Sequence, residues 1–341
     1  MSSNRSDTVN RVEEVRERTW RFDVVILGGG EAGASVARAL SVSSYTGRVA
    51  LVEPSSYVYD QPGWIRVATS GERKEATRYH LKVPPGTTWI RRRAEGIDPD
   101  RGLVELDGNE SISYEHLVVA AGIETRWDRI RGIGPNMDAD GLCSVYGYEH
   151  AEHAWDVIRT FQGGRAIFTA SSSPYKGGQA PYEVLRNAVD VWRNRGVLSS
   201  TELIFATAWA EAFSGVDDVD LDISDAQDTH VYRGYDLVEV RPDLKEAVFT
   251  VEKGASQSQD VVRYSLLHIA PPMRPPAVVE NSILAYSVGP MTGFMEVDPE
   301  TLQHPKYPSV FGVGDVTGLR SLKTGRMARQ QAKRVVQAIC R

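Results

Sequence analysis

The chain has 341 residues, with 39 Lys and Arg against 45 Asp and Glu, a formal charge of -6, and 41% hydrophobic side chains. That length suits about two domains with cores of their own, and the near balance of charge argues against nucleic acid or an anionic bilayer as partner. The two cysteines, Cys143 and Cys340, are too few and too far apart for a disulfide framework, a CxxC redox pair or a Cys-rich zinc site.

Residues 1–20 read as a polar leader without the apolar core of a signal peptide. No run approaches the ~20 apolar residues that cross a bilayer. A reducing cytoplasm is therefore the expected compartment, and no membrane is expected as a partner. Strands are predicted over Asp23–Leu27, Val49–Glu53, Thr88–Arg91, Leu103–Leu106, His116–Ala120, Ala166–Thr169 and Glu202–Ala206, then Thr229–Tyr232, Leu237–Arg241, Glu246–Thr250, Val261–Ile269 and Val310–Val313. Helices are predicted over Gly30–Leu40, Glu149–Phe161, Pro181–Arg195 and Ser321–Ile339, with Gly254–Gln259 as a loop tip. Alternating strands and helices define an α/β chain. Residues 21–125 plus 286–341 would form the first domain, and residues 126–285 a second one inserted into it.

The run Phe22–Leu27 is an apolar strand followed at once by Gly28-Gly29-Gly30-Glu31-Ala32-Gly33 and a small-residue helix. Gly28, Gly30 and Gly33 satisfy GxGxxG, whose glycines serve the tight turn, the approach of a pyrophosphate and close packing of helix on strand. Glu53 ends the next strand, where a carboxylate can accept from ribose hydroxyls; it disfavours a 2′-phosphate there. Further on, the strand ending in Ala120, with Ala121 and Gly122, and the strand Val310–Val313 ending in Gly314 and Asp315 fit FAD. Asp315 would meet the ribityl chain, and the following helix would point its N-terminus at the pyrimidine ring.

On these words, together with Val52-Glu53-Pro54-Ser55, Gln61-Pro62-Gly63-Trp64, Lys176-Gly177-Gly178-Gln179-Ala180-Pro181, Leu267-His268-Ile269-Ala270-Pro271-Pro272 and Lys323-Thr324, the chain resembles the sulfide:quinone oxidoreductase family. That family lies within the FAD-dependent pyridine nucleotide-disulfide oxidoreductases. The resemblance implies two Rossmann-like, three-layer domains and one FAD, with Gly28, Gly30, Gly33, Glu53, Pro54, Gln61, Ala121, Gly122, Gly314, Asp315, Lys323 and Thr324 around it. It also implies that electrons enter the flavin from the substrate. The family's reaction uses two cysteines, since only a good sulfur nucleophile and leaving group carries thiol exchange. This chain has Gly177 and Val316 in their places, and the family's C-terminal membrane segment is not expected in it.

The expected activity is accordingly a soluble FAD-dependent oxidoreductase that oxidises a small organic or sulfur-containing substrate directly at the flavin. Oxygen or a soluble acceptor would take the electrons. Two alternatives stand beside it: thiol or sulfide oxidation assisted by a low-molecular-weight thiol, and a non-catalytic flavin-binding partner or sensor. No second GxGxxG follows Ala166–Thr169, so NAD(P)H is not expected on the second domain. Candidate catalytic groups are Asp60, Lys176 and Cys143, with His150 and His153 as further proton carriers. The histidine pair, spaced i, i+3, reads as solvated, and no metal is expected. His268 and His304 read as structural, and Arg326, Arg329 and Lys333 as a solvated helix face. A homodimer is compatible with the composition.

Overall fold

The computed structural model describes residues 18–134, 137, 139–209, 229–253 and 256–341. Its first sheet has the strand order 87–90, 49–52, 18–27, 110–119, 103–106, 94–98, with Val310–Gly312 paired in parallel against 117–119. Val24, Val25, Ile26 and Leu27 are all buried. Such a β-branched run is what a parallel sheet covered on both faces requires. Helices Glu31–Ser41 and Gly325–Ile339 cover one face, packing through Val36, Ala37, Leu40, Ala332 and Val335. The first strand begins at Arg18, which pairs with Glu110, so the last residues of the stretch read as leader belong to the sheet.

A second, parallel sheet runs in the order Leu142–Cys143, Leu266–His268, Gly164–Ala170, Thr201–Thr207, His230–Arg233. An antiparallel ribbon of Tyr235–Arg241, Glu246–Lys253 and Ser256–Arg263 packs beside it. The strand predicted as Val261–Ile269 is in fact two. At Tyr264 and Ser265 the backbone N–H groups turn to Lys245 and Arg165, and the chain passes from ribbon to parallel sheet. Within the predicted loop tip, Ser256–Gln259 is strand, paired with Lys253–Thr250, while Gly254 and Ala255 lie outside the described residues.

Helix Gly63–Ser70, which the sequence did not announce, leaves the first sheet and joins the second sheet's layer. Ile65 and Ala68 pack in one cluster with Ala154, Ile158, Leu185 and Ala188. It thereby fixes the loop Asp60-Gln61-Pro62 at the seam between the two sheets. Among the described residues no helix is long and apolar enough to cross a membrane.

Candidate functional site

The glycine turn has the geometry its spacing predicts. Gly28 has φ +103°, and a Cβ there would lie 2.5 Å from the Ala120 carbonyl oxygen, so the turn presses against the neighbouring strand end. A Cβ on Gly33 would collide with the Gly28 carbonyl, whereas one on Gly30 would meet nothing within 4 Å. Gly30 is the N-cap of helix Glu31–Ser41; Ala34 N–H donates to its carbonyl, and the N–H groups of Glu31, Ala32 and Gly33 find no acceptor among the described residues. Free donors at a helix N-terminus beneath open space form an anion cradle.

Glu53 borders that cradle. Its carboxylate accepts from Gly29 N–H at 2.8 Å and from Ser55 N–H at 2.7 Å, while Trp89 Nε1 donates to its carbonyl. Two backbone donors fix the carboxylate and leave it further lone pairs for ribose hydroxyls. Pro54 is exposed at the same rim. Gly122 has φ +69° with open space where a side chain would stand, beside half-buried Ala121.

Gly314 packs against Ala32 in the first turn of helix Glu31–Ser41, and its N–H donates 2.7 Å to Gln331 Oε1 on the last helix, which sets the turn that presents Asp315. The Asp315 carboxylate makes no hydrogen bond or ion pair among the described residues, and its burial raises its pKa against the pull of Lys323 and Lys176. Lys323 is buried; its Nζ donates to the carbonyls of Thr317 (2.5 Å) and Leu319 (3.3 Å), and desolvation brings its pKa down to about 8. Thr324 caps the final helix, its hydroxyl oxygen accepting from Met327 N–H. A half-buried, desolvated carboxylate with no donor fits a ligand that brings one. The open cradle, the fixed Glu53 and the bare Asp315 therefore fit the pyrophosphate, ribose and ribityl hydroxyls of FAD.

Lys176 reaches the same place from the second sheet. Lys176 and Lys323 form a parallel β-bridge, and Gly177 N–H donates to the Lys323 carbonyl at 2.8 Å. The Asp60 carboxylate is paired with Arg66 at 3.2 Å. Gln61 is half-buried in the same loop. Cys143 is fully buried in strand register with His268, and burial pushes its thiol pKa well up. His153 Nε2 lies 2.9 Å from the Leu142 carbonyl, and His150 meets Trp127 edge-on. No trio of His, Cys, Asp or Glu among the described residues could hold a metal. Arg329, in the basic stripe, pairs with Glu31.

Sequence reasoning overlooked Gly29, whose N–H orients Glu53, and Gln331. The latter stands at helical spacing with Ala328, Ala332 and Val335, so a polar residue on the apolar face was the signal.

This arrangement defines a dinucleotide-binding flavoprotein, and residues 22–172 match the pyridine nucleotide-disulphide oxidoreductase family. The chain is 33% identical over 94% of its length to the mitochondrial sulfide:quinone oxidoreductase of Mus musculus, covering 71% of it. To that of Dictyostelium discoideum it is 35% identical over 91%, covering 68%. The sulfide:quinone oxidoreductase structure from the hyperthermophilic bacterium Aquifex aeolicus superposes with TM-score 0.75 at 20% identity, over 95% of this chain and 76% of that one. The chain belongs to the sulfide:quinone oxidoreductase family and is an FAD-dependent oxidoreductase.

Proposed function

We propose that this family member oxidises a small substrate directly at its flavin, without a protein dithiol, and delivers the electrons to oxygen or a soluble acceptor. The observation that carries the reading is the state of the two positions matched to the family's cysteines. Gly177 has φ +81°, a left-handed backbone that disfavours any side chain, and Val316 is 0% exposed within the first sheet's core. Neither existing thiol substitutes for them. Cys143 is sealed in the core, and Cys340 caps the last helix 3.6 Å from Ser43 Oγ.

The second sheet offers little to a nicotinamide dinucleotide. In helix Ala180–Asn194, Ala180 N–H donates to Gly177 and Tyr182 N–H to Gln179, and Pro181 has no N–H. Its first turn is thus already satisfied, in contrast to the free donors after Gly30. Beside the end of strand Gly164–Ala170, Ser172 Oγ donates 2.6 Å to the Asp236 carboxylate, a group unsuited to face a pyrophosphate.

When bound, FAD supplies the two-electron acceptor. The chain holds it through the glycine cradle, Glu53 and Asp315, and Lys323 keeps a positive charge at the buried end.

The test is anaerobic bleaching of the purified flavoprotein by sulfide, glutathione, NADH and NADPH in separate experiments, followed by air. Bleaching by a non-nicotinamide donor that survives Cys143→Ala, with recovery in air, is expected. Rapid bleaching by NADH or NADPH overturns the reading of the second sheet, and no bleaching by any donor favours a flavin-binding sensor.

A further inference from the structure

Lys176 is anchored on three sides through its backbone and left bare at its side chain. Its N–H donates to Met273 Sδ at 3.4 Å, its carbonyl accepts from Tyr146 Oη at 3.3 Å, and the next N–H donates to Lys323. Three segments that follow separate strands thus converge to hold one residue. Its side chain, by contrast, is half-buried in a desolvated setting that lowers its pKa, and its ammonium has no hydrogen-bond or ion-pair partner among the described residues. Withdrawing an ammonium from water without a partner is costly, so such groups persist where something else completes them.

The charges nearby do not complete it. Asp315 and the exposed Glu124 act on Lys176 only at a distance, and Asp315 faces Lys323 as well. Two cations share one half-buried carboxylate. If Lys323 and Asp315 balance each other at the cofactor, Lys176 is the surplus positive charge. It is also the residue directly before Gly177, where a side chain is missing and the backbone is exposed.

Resting on direct reaction at the flavin, we infer that Lys176 and the vacated Gly177 position form a receptor for a small monoanion, so that the substrate enters as an anion such as a thiolate, hydrosulfide or carboxylate. Charge and not shape would then select the substrate, and Lys176 would hold it against the flavin with a charge-assisted hydrogen bond.

Thiocyanate, an inert monoanion, is the probe. Titrated into the flavin-loaded protein, it should perturb the flavin absorption saturably. Lys176→Met should weaken that binding by about tenfold or more, the loss of one charge-assisted contact. Lys176→Arg should stay within about threefold of the wild type, and flavin content reports whether each variant is folded. Equal affinity in the wild type and Lys176→Met, or no saturable perturbation at all, overturns the receptor. Flavin bleaching by a neutral donor without any thiocyanate response overturns it too while leaving the proposed reaction intact. Thiocyanate binding that depends on Lys176, with no donor able to bleach the flavin, supports the receptor and sinks the reaction.

Discussion

Position 33 tolerates no methyl group, because its Cβ would enter the Gly28 carbonyl, which is backbone and cannot swing away. Gly33→Ala must therefore part helix from strand, at a cost of about 2–3 kcal/mol, with loss of bound flavin. Gly30→Ala is the informative contrast. Its methyl enters open space, so the fold should keep its denaturation midpoint while flavin content falls, the space being the one a pyrophosphate needs. Urea unfolding and flavin absorbance on both variants separate the two roles. His268 gives a different prediction at this scale. It is 0% exposed, stacks on Phe168, accepts from Val145 N–H, and burial brings its pKa from 6.5 down to about 3. Below the unfolded value the unfolded chain binds a proton that the folded chain refuses, so this contribution is full above pH 6.5 and is lost as pH falls toward 3. At about 1.4 kcal/mol per unit, roughly 2 kcal/mol should be gone by about pH 5. His268→Gln, which can still accept from Val145, should flatten that stretch of the pH dependence in urea unfolding.

Among the elements, the turn carrying Gly177 and the 3-10 turn carrying Val316 are both shaped against a redox pair. In the double variant Gly177→Cys, Val316→Cys, one cysteine must adopt a left-handed backbone and the other grows from a fully buried site. Both thiols should titrate as free after mild oxidation of the folded protein, and sulfide bleaching should be no faster than in the wild type. A quantitatively formed disulfide would show that the turns are more plastic than their geometry. These two turns also mark how far the sequence could be read. The glycine fingerprint, Glu53 and the Gly314-Asp315 strand end were legible because each role is local: a left-handed residue, an absent Cβ, a carboxylate at a strand end. Helix Gly63–Ser70 was not, since Trp64, Ile65, Val67 and Thr69 favour strand and only packing on the second layer makes them helical. Ser256–Gln259 was missed for the opposite reason. Its exposed, polar residues carry no alternation, and the ladder to Lys253–Thr250 supplies the order. The convergence of Lys176, Lys323 and Asp315 was invisible in the chain, because it depends on a bridge between segments far apart in sequence.

In the whole molecule, Lys176–Gly177 and Lys323 tie the loop after the second sheet's strand Gly164–Ala170 to the tail that follows the first sheet's strand Val310–Gly312. Three charges sit at that seam without an ion pair among them, and the glycine cradle, whose helix packs through Ala32 against Gly314, offers donors without acceptors. Both features favour a state in which a ligand supplies the missing partners, and both are costs in its absence. FAD should therefore stabilise the protein well beyond its own pocket. A ligand at about a thousandfold its Kd adds about 4 kcal/mol to the folded state. Spread over an unfolding entropy that grows with chain length, this raises Tm by roughly 5 °C for a chain of this size. Calorimetry of the flavin-free and reconstituted protein measures the shift. One transition moving as a unit is expected if the seam couples the two sheets. Two transitions, with only the lower or the upper one responding to FAD, would show that the Lys176–Lys323 bridge does not make them cooperative. Asp315→Asn should shrink the shift, because its amide cannot balance Lys323, while leaving the flavin-free transition close to that of the wild type.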